Sequence, residues 1–156
     1  MSKLFTPLQI KNLVLKNRII VSPMCQYSAT DGFANNWHLV HLGSRAVGGA
    51  AVVIQEATAV SPEGRITYGD LGLWKDEHVA PLKNIIDFIH ENGSIAGIQL
   101  AHAGRKASCE KPWLGGKQIK EGANGWQTVS SSALPFFEMD NLPHELSIPE
   151  IKNIIA

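Results

Sequence analysis

The sequence has 156 residues, 44% of them hydrophobic and 18% charged, with 14 Lys and Arg balanced by 14 Asp and Glu. That length supports one hydrophobic core, and a formal charge of zero without a basic cluster argues against nucleic acid or an anionic membrane surface as the main partner. No apolar run approaches the ~20 residues that a membrane-spanning helix needs, and Met1-Ser2-Lys3-Leu4-Phe5-Thr6-Pro7 lacks the apolar core of a signal peptide, so a cytoplasmic location is expected.

Taken in chain order, Leu8, Ile10, Leu13 and Leu15 alternate around Lys11-Asn12, the pattern of a small hairpin. A first strand is expected at Arg18-Ile19-Ile20-Val21. Ser22-Pro23-Met24-Cys25-Gln26-Tyr27 follows it, which puts a thiol and a phenol just past its carboxyl end. Ala29-Thr30-Asp31-Gly32 reads as a turn, and Trp37 to Val47 as a helix stopped by Gly48-Gly49. A second strand spans Ala50 to Val60. Val79, Leu82, Ile85, Ile86 and Ile89 then fall at helical spacing, with Asp76 and Glu77 in the first turn and Asn92-Gly93 as the stop. A third strand runs from Ser94 to His102. Residues 103–145, with Gly115-Gly116, Gly122, Gly125, Pro135 and Pro143, read as one long loop, and a loop of that length in a compact domain is usually functional. Ser147-Ile148-Pro149-Glu150 has the form of a capping box, the Ser oxygen meeting an early N–H and the Glu reaching back. The helix it opens runs to Ala156, before any fourth strand.

Continuous apolar strands alternating with amphipathic helices predict an α/β fold with a parallel sheet covered by helices. Periodicity alone leaves open whether that sheet is a closed barrel or doubly wound. In a parallel barrel, chemistry sits at the carboxyl ends of the strands, so Cys25, Tyr27 and the ends of the second and third strands are the candidate site. A free cysteine such as Cys25 is also commonly a small buried apolar residue. Gln99 is an anomaly within an apolar strand, because a buried primary amide is costly unless both its carbonyl and its NH₂ find partners. It is either a ligand contact or a core amide bridging strands. Ala57 by itself reads as packing, and Glu56 as a partner in a structural hydrogen bond or ion pair rather than a base. His38 and His41 share helical spacing without a third ligand, so no metal is expected. His102 and Arg105 order or line the mouth without a catalytic step. Cys25 and Cys109 lie in different loops, with no disulfide or zinc spacing.

Three stretches together resemble the old yellow enzyme family, nearest its bacterial xenobiotic reductase and thermophilic-like branch. They are Ser22 to Tyr27, Glu56-Ala57-Thr58-Ala59-Val60 leading into Pro62-Glu63-Gly64-Arg65-Ile66-Thr67, and Gln99-Leu100-Ala101-His102-Ala103-Gly104-Arg105-Lys106. The resemblance runs through the chain in order. It implies that residues 1–156 form the N-terminal part of a (β/α)8 TIM barrel, about three βα units after a hairpin that closes the barrel bottom. It further implies an FMN-dependent NAD(P)H oxidoreductase, an ene-reductase acting on α,β-unsaturated carbonyl or nitro compounds with NADPH or NADH as reductant. In that family the thiol matching Cys25 tunes the flavin and the hydroxyl matching Tyr27 holds the substrate's electron-withdrawing group. Ser22, Pro23, Met24, Cys25, Ala57 and Gln99 would contact FMN, with Gln99 on the pyrimidine edge. A complete barrel needs about 250 residues. The expectation is therefore of a fragment inactive by itself. The alternative is a non-catalytic half-barrel that forms a homo-oligomer or pairs with a complementary chain through its open strand edges.

Overall fold

Strand β4 (Val52–Ala59) is the axis of the computed structural model, which describes residues 2–120, 122 and 124–155. Met1 and Ala156, at the two ends considered above, lie outside the described residues, as do Glu121 and Ala123. Val52, Val53, Ile54 and Thr58 favour extended backbone because branching at Cβ restricts their rotamers and packs well on a pleated surface.

On one side β4 pairs in parallel with β3 (Ile20–Val21), through Ile20↔Val52 and Val21↔Val53. Further along the same side it pairs with β5 (Leu71–Gly72), through Thr58↔Leu71 and Ala59↔Gly72. On the other side it pairs in parallel with β6 (Ile95–Ala101), from Val52↔Ile95 to Ala59↔Ala101. Strand β5 was not foreseen; two residues are too few to show a period.

Helices α1 (Asn36–Val47) and α2 (Val79–Glu91) cover one face of this sheet. Leu42 and Ala46 of α1 meet Leu82, Ile85 and Ile89 of α2 over Val53 and Leu71, all almost fully buried. Val79 and Ile86 carry the helical period but stay 50% and 36% exposed, so the apolar stripe is wider than the buried one. Gly43 lets the helices close: a Cβ there would stand 2.8 Å from the Phe88 ring.

The expected stops hold, with Gly48 capping α1 and Asn92 capping α2, followed by Gly49 and Gly93 at positive φ. Asp76 and Glu77 form a 3-10 turn ahead of α2 rather than its first turn. At the start of α1, the Asn35 side chain accepts the Trp37 N–H at 3.0 Å and His38 Nδ1 accepts the Asn35 N–H at 3.1 Å. His38 thus takes the place of Glu in a capping box and is fully buried, a role its helix-face spacing did not reveal. Burial holds its pKa down to about 4, so the ring is neutral.

The hairpin of β1 (Leu8–Ile10) and β2 (Leu13–Leu15) forms as expected, turning at Lys11 with φ 50°. Lys16 pins it to the amino end of β6, donating to Asn92 O at 3.1 Å and Ser94 Oγ at 3.3 Å. The long loop contains a short parallel pair, β7 (Val129–Ser130) and β8 (His144–Glu145), where no strand was expected. In the first turn of α3 (Ile148–Ile155), Glu150 accepts the Ser147 N–H at 2.7 Å, which is one half of the capping box. The Ser147 hydroxyl donates to the same carboxylate at 2.6 Å instead of accepting a backbone N–H. Among the described residues no helix is long and apolar enough to cross a membrane.

Ile85, 2% exposed, is a direct probe of the α1–α2–sheet core. Ile85→Ala is expected to lower unfolding free energy by about 2–4 kcal/mol, through lost transfer energy and a residual cavity. Urea denaturation followed by far-UV circular dichroism checks this; a change under 1 kcal/mol would show that the helices do not pack on the sheet as described.

Candidate active site at the strand carboxyl ends

Because β3, β4 and β6 are parallel, their carboxyl ends lie on one side of the sheet, opposite the hairpin. The register of β4 against β6 skips Glu56, moving from Gln55↔Ile98 to Ala57↔Gln99. Such a bulge adds one residue to a strand and re-aims a side chain. Here the Glu56 carboxylate, buried at 2% exposure, accepts the Gln26 N–H at 3.0 Å and a backbone hydrogen bond from Tyr27. The second strand therefore holds the loop that follows the first.

That loop is held from other directions too. Gln26 Nε2 donates to Met24 O at 2.7 Å, and Gln26 Oε1 accepts the Trp37 indole N–H at 3.0 Å. Tyr27 has φ 50°, uncommon for a residue with a Cβ. Gly69 makes room for it, since a Cβ there would lie 2.4 Å from the Tyr27 carbonyl oxygen. Asp70, next to Gly69, is buried and accepts the Ile66 N–H at 2.7 Å, the Thr67 N–H at 3.1 Å and the Thr67 hydroxyl at 2.8 Å.

Within this frame Cys25 is a half-buried free thiol. Burial pushes its pKa up, while hydrogen bonds from the Ala57 backbone and the Tyr27 side chain pull the other way. Tyr27 is pushed up to about 12, by burial first and then by Cys25 and the nearby carboxylates. Both groups hold their protons at neutral pH. The Tyr27 ring stands edge-on to Trp113, with centroids 6.0 Å apart.

The structure brings three of the candidate residues to one level: the Ala57 backbone lies against the Cys25 thiol, and Ala57 pairs with Gln99. Ser22, Pro23 and Met24 connect β3 to Cys25, with Ser22 and Met24 exposed and Pro23 half-buried. The expected burial of Gln99 is corrected. It is exposed and makes no side-chain hydrogen bond among the described residues, because β6 is paired only by β4. Of the hydrogen bond or ion pair expected of Glu56, the hydrogen bond forms. His102 accepts the Gly104 N–H at Nδ1, 3.1 Å away, and so orders the turn after β6. Gly69, Asp70 and Trp113 were missed, since nothing in their spacing signals the Tyr27 backbone or ring as neighbour.

The family model described as "NADH:flavin oxidoreductase / NADH oxidase family" matches residues 3–156. The chain belongs to this family. It is 48% identical over 158 aligned positions to the NADPH dehydrogenase of Listeria monocytogenes serotype 4a (strain HCC23), covering all of this chain and 42% of that protein. The NADPH dehydrogenase of Listeria innocua serovar 6a matches equally. Among solved structures, morphinone reductase superposes with a TM-score of 0.78 at 29% identity, over 99% of this chain and 42% of that one. Old Yellow Enzyme from Pichia sp. AKU4542 superposes with a TM-score of 0.81 at 26% identity, over 97% and 39%. The chain thus spans about two-fifths of the length of its relatives. Its hairpin, parallel strands and covering helices are the N-terminal part of the old yellow enzyme TIM barrel, as the resemblance implied.

Burial raises the Glu56 pKa from 4.5 to about 7. The folded chain therefore binds more protons than the unfolded one between those values, so stability from this group falls as pH rises from about 4.5 to about 7 and is constant beyond. The loss is roughly 3 kcal/mol. Glu56→Gln is expected to gain stability relative to the unsubstituted chain as pH rises over that window. Urea melts at pH 5 and 7.5 test this; parallel pH profiles for the two proteins would show that Glu56 titrates normally.

Proposed function

We propose that this chain supplies the flavin-facing part of a cytoplasmic FMN-dependent NAD(P)H oxidoreductase that reduces α,β-unsaturated carbonyl or nitro compounds. The observation that carries the reading is the pairing of Ala57 with Gln99 toward the carboxyl ends of β4 and β6, with Cys25 against Ala57 on the loop that follows β3. The donor set fits a flavin. The Gln99 amide has an unengaged carbonyl and an unengaged NH₂, matching the mixed acceptor and donor pattern of a pyrimidine edge. Ala57 is small enough to lie against a ring, and Cys25 presents a neutral, polarizable sulfur beside it.

The chemistry that bound FMN supplies is hydride uptake from NADPH or NADH and its delivery to the activated double bond. The chain's own residues orient and polarise. Tyr27, protonated at neutral pH, donates a hydrogen bond to the substrate's carbonyl or nitro oxygen and draws electron density from the β-carbon. Cys25 orients against the flavin and tunes it without acting as a nucleophile. Glu56 positions both by fixing the Gln26 and Tyr27 backbone.

A second reading is that of a non-catalytic half-barrel that self-associates or takes a complementary chain. It is favoured by the outer side of β6, where no described strand pairs and Ile98 and Leu100 are 43% and 58% exposed. An apolar groove of about 430 Å³ between α2 and β6 adds to it.

Titration of FMN with the purified chain, followed by flavin fluorescence and paired with size-exclusion chromatography, separates the readings. Stoichiometric quenching is expected, and Gln99→Leu should weaken it about tenfold, as loss of a polar contact of 1–3 kcal/mol predicts. A folded, self-associated chain that leaves flavin fluorescence unchanged would favour the half-barrel.

A further inference from the structure

A large aromatic side chain stands in solvent beside Tyr27, and the proposed function gives it no task. Trp113 is 64% exposed, and its ring meets the Tyr27 ring edge-on with centroids 6.0 Å apart. An indole left in water forgoes the free energy that covering its apolar face would release.

The local backbone fixes where this ring stands. Trp113 is the middle residue of a 3-10 turn, Pro112–Leu114. Lys111 O accepts the Leu114 N–H at 2.8 Å and the Gly116 N–H at 3.3 Å, and Pro112 O accepts the Gly115 N–H at 3.1 Å. Pro112 restricts φ at the start of the turn, and Gly115 ends it at φ 108°, a conformation that costs glycine little.

The turn is seated over the loop that follows β3. The Lys111 stem crosses Gly69, where a Cβ would stand 2.7 Å from Lys111 Cε; Gly69 is the same residue that makes room for the Tyr27 carbonyl. Lys111 Nζ stands 5.1 Å from the Tyr68 ring centroid and 5.8 Å from that of Trp113, both within cation–π reach. The Tyr68 hydroxyl donates to Glu110 Oε2 at 3.3 Å, and the Cys109 N–H donates to Ile66 O at 2.8 Å. Residues 109–113 are therefore tied along the connection that leaves β4, and Gly69 sets Trp113 and Tyr27 relative to each other.

The hydroxyl of Tyr27 bonds to the Cys25 thiol, while its ring meets Trp113. A small ligand whose oxygen rests on that hydroxyl has the indole within reach of its substituent. A flat conjugated ring gains from contact with an indole beyond the area it buries, and a saturated ring of the same size lacks that gain.

We propose that Trp113 is a specificity-determining residue that forms one wall of the acceptor site and favours acceptors whose carbonyl or nitro group is conjugated to an aryl ring over those built on a saturated ring, an assignment that rests on the reading of Tyr27 as the group holding the acceptor's oxygen. The preference is worth about fivefold in affinity, the scale of one aromatic pair.

Two unreactive ketones of matched size, acetophenone and cyclohexyl methyl ketone, test this on the full chain without turnover. Titration of ¹⁵N-labelled chain, followed by NMR of the indole N–H signals, gives both affinities; the Trp113 signal is the one missing from Trp113→Phe. Acetophenone is expected to shift that signal and to bind about fivefold more tightly than cyclohexyl methyl ketone. Trp113→Leu should bring the ratio close to one while leaving cyclohexyl methyl ketone binding unchanged, and Trp113→Phe should keep most of the ratio. Tyr27→Phe should weaken both ketones about fivefold, as loss of one hydrogen bond predicts, and preserve the ratio. A Trp113 signal that acetophenone does not move overturns the proposal, as does a ratio near one in the unsubstituted chain or a ratio that Trp113→Leu leaves intact. A Trp113-dependent ratio in a chain whose affinities ignore Tyr27→Phe supports the aryl wall and counts against the role of Tyr27 alone.

Discussion

The carboxylate of Glu56, buried at a bulge in β4 and accepting backbone hydrogen bonds from Gln26 and Tyr27, holds the mouth of this sheet together. A regular strand would send alternate side chains to opposite faces throughout. The extra residue breaks that alternation where β3 ends, and it places an acceptor under two N–H groups that have no strand partner. Buried N–H groups need such a partner. Cys25 and Tyr27 owe their positions to this contact, and the left-handed backbone of Tyr27 is tolerated because Gly69 yields space on its far side.

Charge at the mouth follows from the same enclosure. Glu56 and Asp70 are carboxylates in a poorly solvated frame, and burial raises both pKa values against the backbone donors that lower them. Cys25 and Tyr27 feel both carboxylates and are raised further. The result is a site whose thiol and phenol are neutral donors at physiological pH. Neutral donors suit polarising a carbonyl or nitro oxygen better than nucleophilic attack, for which a thiolate is the reactive form.

The sheet divides unequally between a finished side and an open one. Toward α1 and α2 it is covered by a dense core around Val53 and Leu71. Beyond β6, Ile98, Gln99 and Leu100 are exposed, and an apolar groove lies between that strand and α2. Relatives that share the fold are more than twice as long, and the region matched ends within the barrel. The exposure of Gln99 belongs to this open side.

Patterns that repeat along the chain were legible in the amino-acid order. The apolar runs of β4 and β6, the helical spacing of Leu82, Ile85 and Ile89, the Gly stops and the turn at Lys11 each depend on neighbours within about ten residues. The stretches around Cys25, Ala57 and Gln99 also carried the family, whose model matches residues 3–156. What only tertiary structure decided was pairing across the sequence: the bulge at Glu56, the two-residue strand β5, His38 as a buried cap, and Gly69 against Tyr27. Each depends on register or on a loop's path, and a one-residue slip in a strand redirects every side chain after it. Local periodicity records which face a residue prefers; it does not record which distant backbone will stand opposite.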